Sequence, residues 1–272
     1  MEYKILQNIN SPKELKKLNI DELNSLSAEI RDYMIKTVSQ NGGHLSSNLG
    51  VVELSVALHK CFNSPEDKFV WDVGHQIYAH KLLTGRFEDF ATLRTENGIS
   101  GFCAPNESEH DIFYSGHSST SISAALGIAV ANKNLNKDNY TVAVIGDGAL
   151  TGGLAFEGLN NAGASPNTDI LVILNDNEMS IDKPSGALDH YLLRISTSKW
   201  YNKFKGSLWS LLGKIPPILK LARRTGNAIK HGVLHNSNLF ESLNFRYFGP
   251  VDGHDIKGLE SILKIAKNYD KP

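Results

Sequence analysis

The chain has 272 residues, of which 41% are hydrophobic, and its formal net charge is −1. This length is enough for one large α/β domain or two small ones, and the apolar fraction can fill an ordinary globular core. Because the charge is close to zero, no global field would recruit nucleic acid or an anionic membrane surface.

The amino-terminal sequence and the cysteines predict the cellular compartment. Residues 1–15 mix acidic and basic side chains without an apolar run, so neither a signal peptide nor a transit peptide is predicted. The most apolar later stretch, residues 208–221, contains two lysines and two prolines and is too short to cross a bilayer. Cys61 and Cys103 lack CxxC spacing, which favours free core thiols over a disulfide or a zinc site. We therefore expect a cytoplasmic protein.

Four elements are predicted in the first half of the chain. In residues 21–40, apolar residues recur at three- and four-residue steps, which predicts a helix with one buried stripe that ends at Gly42-Gly43. A second helix is predicted for residues 51–61, and the apolar run at residues 68–72 predicts a short buried strand. Small residues dominate residues 118–131, which predicts a helix thin enough to lie close to a sheet or a cofactor.

The second half contains the pattern that predicts the fold class. Residues 141–145, 150–162 and 169–174 are predicted to form a strand, a helix and a strand, which matches a right-handed parallel crossover. The fold class is therefore α/β, with a mostly parallel sheet flanked by helices. Regular α/β patterning returns at residues 245–248, with a turn at Gly249-Pro250 and a helix over residues 256–267.

A basic segment separates these regions. From Lys183 to His235 the chain carries ten Lys or Arg residues against one acidic residue, Asp189. Its glycines and prolines predict a mobile insertion, at about residues 183–239, within a single domain that spans residues 1–272. A nucleic-acid patch is the alternative, but the aromatic residues of this segment are more typical of packing contacts. We therefore expect neither a nucleic-acid nor a membrane partner.

Oxygen-bearing side chains follow both strands of the predicted crossover. Gly146-Asp-Gly148 ends the first strand, and Asn177 follows the second, 30 residues after Asp147. Parallel strands bring such ends to one edge of the sheet, where ligands of open α/β sheets bind. Asp147, Asn177 and a main-chain carbonyl near Met179 would suit magnesium, which readily shares its shell with a diphosphate. Strand-end capping is the alternative role for the two side chains.

Three histidines lie at glycine-marked turns: His44, His75 and His117. One histidine in such a place is more often structural than functional. Three at the ends of separate elements predict a shared pocket, in which imidazole can bind phosphate oxygens and transfer protons near pH 7. Their spacing does not match a zinc site.

Six strings in the chain resemble the amino-terminal part of the 1-deoxy-D-xylulose-5-phosphate synthase family, which are thiamine-diphosphate enzymes of the transketolase type. Together they extend over almost the whole chain, and the second, third and fifth differ from ordinary transketolase. The strings are Gly43-His-Leu-Ser-Ser47, Trp71-Asp-Val-Gly-His-Gln76 with His80-Lys-Leu-Leu-Thr-Gly-Arg86, Gly116-His-Ser-Ser-Thr-Ser-Ile-Ser123, Gly146-Asp-Gly148, Asn175-Asp-Asn-Glu-Met-Ser180 and Gly249-Pro-Val-Asp-Gly-His254.

The resemblance implies a thiamine-diphosphate-binding fold, with thiamine diphosphate and Mg²⁺ as cofactors. It assigns Asp147, Asn177 and the carbonyl of Met179 to the metal, and the backbone of Gly148 and Ala149 to the diphosphate. Four further residues would line the cofactor: His75, Gly116, His117 and Ser118. His44 and Ser47 would face the substrate side, and His44, His75 and His117 are the candidate catalytic residues. The implied reaction condenses pyruvate with glyceraldehyde 3-phosphate with loss of carbon dioxide.

Two features depart from the family pattern. The segment Gly101-Phe-Cys-Ala-Pro-Asn106 replaces the usual Gly-Phe-Pro-type turn. The sequence also stops at Pro272, whereas the family continues with a pyrimidine-binding and a carboxyl-terminal domain, so this chain alone is expected to be catalytically incomplete. A homodimer is expected from the family. The alternatives are the amino-terminal subunit of a two-chain transketolase and a non-catalytic cofactor-binding module.

Overall fold

The computed structural model describes residues 3–165, 168–176, 239–269 and 272. Residues up to 176 and from 251 onward belong to one compact unit, and residues 239–250 belong to a second unit. The helices are Pro12–Leu15 (α1), Ile20–Asn41 (α2), Leu45–Leu49 (α3), Val52–Cys61 (α4), Tyr78–Leu83 (α5), Ser121–Asn134 (α6), Asp147–Leu150 (α7), Gly153–Ala164 (α8), Leu239–Ser242 (α9) and Ile256–Lys267 (α10). Short 3₁₀ helices span Leu6–Asn8 and Asp89–Thr92.

A parallel sheet lies at the centre of the first unit. Its described strands are Lys68–Trp71 (β1), Thr141–Gly146 (β2) and Ile170–Asn175 (β3), in the order β1-β2-β3. Trp71 pairs with Val144, and Gly146 pairs with Asn175, so the carboxyl ends of all three strands lie at the same edge. The predicted α/β class is confirmed.

Helix α2 forms as its sequence predicts. Asn19 and Glu22 form a reciprocal capping box at its start, and Gly42 ends it with a φ of 75°, which favours glycine. The apolar stripe is buried in the core: Leu23, Leu26, Ile30, Met34 and Val38. The predictions for α4, β1, β2, β3 and α10 are likewise confirmed within one or two residues at each end.

The helix predicted for residues 150–162 is wrong in one respect, because the chain forms two helices there. Helix α7 ends at Leu150, Gly152 adopts an extended conformation (φ −71°, ψ 139°), and α8 begins at Gly153. A Cβ at Gly152 would collide with the side chain of Ser119, so a contact with a distant segment requires glycine at this break. Helix α6 also begins three residues later than predicted, at Ser121.

In the second unit, residues 245–248 contain no regular secondary structure, so the patterning predicted there is wrong. Instead, the ring of Phe240 on α9 stacks on Tyr247, with ring centroids 5.6 Å apart and planes inclined by 8°. This local stack accounts for Tyr247, one of the three aromatic residues of the run.

A cluster of ionised side chains is buried beneath the loop that precedes α6. Both guanidinium nitrogens of Arg86 donate to the carboxylate of Asp111, at 2.9 and 2.8 Å, and Lys81 Nζ lies 2.6 Å from Glu107. Asp111 also accepts from the amide of Ala104 at 3.0 Å. The cluster is thus bonded to Ala104, within the segment that departs from the family pattern.

The two cysteines are free, as predicted: Cys103 is buried, and Cys61 is partly buried. Burial raises the pKa of the Cys103 thiol to about 12 and that of Cys61 to about 11. Within the described ranges, no helix is both long and apolar enough to span a membrane. Most of the basic insertion predicted at about residues 183–239 lies outside the described residues, and it stays a prediction.

Candidate active site

The loop that follows β1 links the ends of the other two strands. Asn175 Nδ2, at the end of β3, donates to Gln76 Oε1 at 3.3 Å. A Cβ built on Gly146, at the end of β2, would lie 3.8 Å from Gln76 Nε2 and 4.0 Å from the carbonyl oxygen of Asn175. Three segments therefore converge at the carboxyl edge of the sheet, where the sequence predicted the site.

The segment after β2 carries the predicted diphosphate-binding residues. Asp147 and Ala149 are half-buried, whereas Gly148 is exposed, and an added Cβ there would meet open space. The backbone of Gly148 is thus accessible to a ligand at this edge. Asn177 and Met179, the other predicted metal ligands, lie outside the described residues.

His44 and His75 lie together, as the histidine pattern predicted for these two positions. Their ring centroids are 5.3 Å apart and the rings meet edge to face. The Nδ1 atoms of both rings are buried and have no hydrogen-bond partner in the part of the chain that the structure describes. Burial lowers the pKa of both imidazoles, with Arg94 contributing at His44 and the neighbouring ring of His44 contributing at His75. Both rings are therefore neutral at pH 7.

Asn48 organises this pair, and the sequence analysis missed it. Its fully buried amide donates to the carbonyls of His44 (2.6 Å) and His75 (2.7 Å), and its Oδ1 accepts from the amide of Tyr78 (2.9 Å). The Tyr78 hydroxyl in turn accepts from the amide of His44 at 3.3 Å. Asn48 directly follows the Gly43–Ser47 string and was visible in the sequence, but two of its three partners, His75 and Tyr78, lie 27 and 30 residues away.

The remaining predicted residues occupy two places. Ser47 is half-buried on α3, one turn after His44, and its hydroxyl donates to the His44 carbonyl at 3.5 Å. Gly116, His117 and Ser118 are exposed in the loop before α6. Gly116 and His117 line an open depression of about 300 Å³ together with four other residues: Phe113, Tyr114, Ser115 and Thr120. The structure thus pairs two of the three histidines and places the third on a separate exposed loop.

A metal site is not complete in the described part of the chain. No group of three or more His, Cys, Asp or Glu side chains within residues 3–165, 168–176 and 239–269 could hold an ion. The predicted magnesium ligands are of a different kind, one carboxylate with an amide and a main-chain carbonyl, and two of them come from the segment after β3, outside the described residues. The magnesium assignment stays a prediction.

Comparison with known sequences decides the family. The sequence model described as 1-deoxy-D-xylulose-5-phosphate synthase matches residues 6–272. The chain belongs to this family. It is 54% identical over 274 residues to the 1-deoxy-D-xylulose-5-phosphate synthase of Alkaliphilus oremlandii, covering 99% of this chain and 44% of that protein. The synthase of Dechloromonas aromatica is 52% identical over 269 residues, covering 99% of this chain and 43% of the relative.

The chain therefore corresponds to the amino-terminal part of the synthase family and spans less than half the length of these curated relatives. Solved structures show the same fold at much lower identity. Transketolase from Leishmania mexicana is 19% identical with a TM-score of 0.66, covering 92% of this chain and 35% of that chain. A Pichia stipitis transketolase in complex with sedoheptulose-7-phosphate is 19% identical with a TM-score of 0.67, with the same coverage of each chain. The predicted transketolase-type fold is confirmed.

Proposed function

We propose that this chain is the diphosphate-binding part of a thiamine-diphosphate-dependent transferase that makes 1-deoxy-D-xylulose 5-phosphate. The substrates would be pyruvate and glyceraldehyde 3-phosphate, and carbon dioxide would be released. Membership of the synthase family supports the reaction. The single observation that carries the site is the convergence of all three strand ends around Gln76, next to His75.

The residues at this edge fit the cofactor. Two buried imidazole nitrogens, on His44 and His75, lack a partner among the described residues, and Gly148 offers an accessible backbone. We assign the diphosphate to the backbone of Gly148 and Ala149, and Mg²⁺ to Asp147 with Asn177 and the carbonyl of Met179. A carboxylate, an amide and a carbonyl form the hard oxygen set that magnesium prefers.

The chain's own contribution is positioning and proton transfer. When bound, thiamine diphosphate supplies a nucleophilic carbon and an electron sink for decarboxylation. His75, Gly116, His117 and Ser118 would line the cofactor, whereas His44 and Ser47 would face the substrates. Burial lowers the pKa values of His44 and His75, which keeps both rings neutral at pH 7, and we propose that a neutral ring of this pair accepts a proton during the reaction.

Turnover requires more than this chain. The relatives are more than twice as long, so we propose that pyrimidine-binding and carboxyl-terminal domains complete the site, in a homodimer. The residues that polarise the cofactor ring and grip the acceptor phosphate would lie in those domains.

Product analysis tests the reaction. The chain is combined with the complementary domains, magnesium and thiamine diphosphate, and given either pyruvate or a ketose phosphate as donor, with glyceraldehyde 3-phosphate as acceptor. We expect 1-deoxy-D-xylulose 5-phosphate and carbon dioxide from pyruvate only. Activity with the ketose phosphate alone would instead indicate a two-chain transketolase. Cofactor binding without any product would indicate a non-catalytic cofactor-binding module.

A further inference from the structure

Two buried aspartates flank β1 at its opposite ends. Asp67 precedes the strand and is 4% exposed, and Asp72 follows it and is 5% exposed. Each carboxylate accepts hydrogen bonds from two backbone amides. Asp67 accepts from Asn63 (2.7 Å) and Tyr140 (2.8 Å) at the amino edge of the sheet. The two residues are thus alike in burial and bonding, but Asp67 lies at the amino edge of the sheet and Asp72 lies at the carboxyl edge.

Asp72 organises the turn that leads into α6. Its two oxygens accept the amides of Ser119 (2.8 Å) and Ser121 (3.0 Å). Thr120, the residue in the N-cap position, makes no side-chain cap of its own. The carboxylate therefore replaces a local cap and opposes the positive end of the helix dipole. It also holds Ser119 at a φ of 70°, a conformation that non-glycine residues rarely adopt without support.

Ser119 also contacts the segment after β2. Its hydroxyl donates to the carbonyl of Ala149 at 2.7 Å. The same side chain packs where a Cβ of Gly152 would lie, at the break between α7 and α8. Two consecutive hydrogen bonds thus connect the end of β1 to the turn that contains Asp147 and Gly148.

We propose that Asp72 and Ser119 are positioning residues that preorganise the cofactor-binding turn at residues 147–152. The inference rests on the proposed function for its ligand, the diphosphate of magnesium thiamine diphosphate. We call the hydrogen bonds from Ser119 to Asp72 and from Ser119 to Ala149 the brace. A turn that is already fixed loses less conformational freedom when the ligand binds, so the affinity for the ligand depends on this brace. Outer groups that orient metal ligands typically change affinity by about 10–100-fold when they are removed.

Asp67 provides the matched control. Asp72→Asn and Asp67→Asn each replace one carboxylate oxygen by an NH₂ group that cannot accept a backbone amide. Both variants should lose a similar amount of stability, because the two aspartates are equally buried and make equivalent bonds. Only Asp72→Asn should affect the cofactor, because only Asp72 is connected to Ala149.

Hydrogen exchange on the cofactor-free protein tests the brace without any ligand. In Asp72→Asn, amides of residues 147–152 should exchange about tenfold faster than in the wild type, whereas in Asp67→Asn they should not change. Ser119→Ala should loosen the same segment while leaving the amide of Ser121 bonded to Asp72. Unchanged exchange of residues 147–152 in both Asp72→Asn and Ser119→Ala would overturn the inference.

Cofactor titration tests the consequence. With the complementary domains present, the Kd for thiamine diphosphate and its apparent KM should rise about 10–100-fold in Asp72→Asn, while kcat at saturating cofactor stays within about twofold. Asp67→Asn should change neither constant. Equal losses in the two variants would show that Asp72 acts only through stability, and would overturn the inference. A wild type without cofactor affinity would instead refute the proposed function, and the exchange data would still decide the brace.

Discussion

Among the described residues, two pairs of neighbouring histidines are built differently. In the core, His59 Nε2 and His80 Nδ1 lie 2.9 Å apart, both side chains are fully buried, and His80 Nε2 lies 3.3 Å from Asp111. At the edge of the sheet, His44 and His75 meet edge to face and are half-buried. The core rings thus bond to each other next to a fixed carboxylate, whereas the edge rings contact each other without such a bond.

We propose that this difference distinguishes structural imidazoles in the core from functional imidazoles at the edge of the sheet. The pKa of all four rings is lowered, chiefly by burial, so protonation alone does not distinguish the pairs. The residues around each pair distinguish the two pairs. The core pair is enclosed by charged groups already bonded to one another, and the edge pair lies where the strand ends converge. Each prediction below changes one pair or its surroundings.

The largest loss of stability is expected from Asp111→Asn. Burial alone would raise the pKa of this carboxyl, but bonds from His80 and Arg86 hold it well below its ordinary value. Removing the charge leaves the buried cations of Arg86 and Lys81 poorly compensated, which should lower the free energy of unfolding by about 3–5 kcal/mol. Denaturant unfolding measures this loss. Glu260→Gln, which breaks the surface pair with Lys264 at 2.6 Å, is the control and should cost far less. Equal effects would refute the view that the core pair is structural.

His75→Asn is expected to have little effect on stability and a large effect on activity. Because the ring is half-buried and its Nδ1 lacks a described partner, its loss should change the free energy of unfolding by less than about 1 kcal/mol. If the ring transfers a proton, kcat/KM should fall about 10²–10⁴-fold. Unfolding curves and steady-state kinetics on the same preparation separate the two effects. A variant that unfolds easily but, while folded, retains its kcat/KM would show that this pair is structural as well.

Substitution of His110 is expected to have a smaller effect, which is on the pH dependence of stability. Burial, together with the electrostatic influence of His80 and of the Arg86 guanidinium, lowers the pKa of His110 to about 4, from an ordinary value of 6.5. As pH falls below 6.5, His110 is therefore protonated in the unfolded chain while it is still neutral in the folded chain. The free energy of unfolding decreases as a result.

His110→Asn should make that decrease shallower, by roughly a few tenths of a kcal/mol per pH unit, since water screens the half-buried ring. Unfolding free energies measured between pH 7 and 5 avoid the titration of Asp111 and isolate the histidines. The wild type should still show a steeper slope than the variant. Parallel slopes would mean that His110 titrates alike in the folded and unfolded states.

The elements that the sequence predicted well are those determined by local pattern. The stripe of α2 predicted a helix because burial of one face leaves a periodic signal, and the continuous apolar runs of β2 and β3 predicted strands of a parallel sheet. The crossover between β2 and β3 then placed Asp147 at the correct edge of the sheet.

The features that the sequence did not predict depend on contacts between distant residues. Asp72 caps a helix from 47 residues away, and Asn48 joins the turns of His44 and His75 across 27 residues. The need for glycine at position 152 follows from the side chain of Ser119, 33 positions earlier in the sequence. Local propensity contains no information about such neighbours. The short helices α3 and α5 were missed because five or six residues give too little periodicity.

Calorimetric titration of the protein with thiamine diphosphate, with and without magnesium and with the complementary domains present, tests the central assignment most directly. The wild type should bind only when magnesium is present, and Asp147→Ala should lose binding, because the cation would lose its only charged ligand in the assigned set. An Asp147→Ala variant that binds with unchanged affinity would contradict the placement of the cofactor at this edge of the sheet.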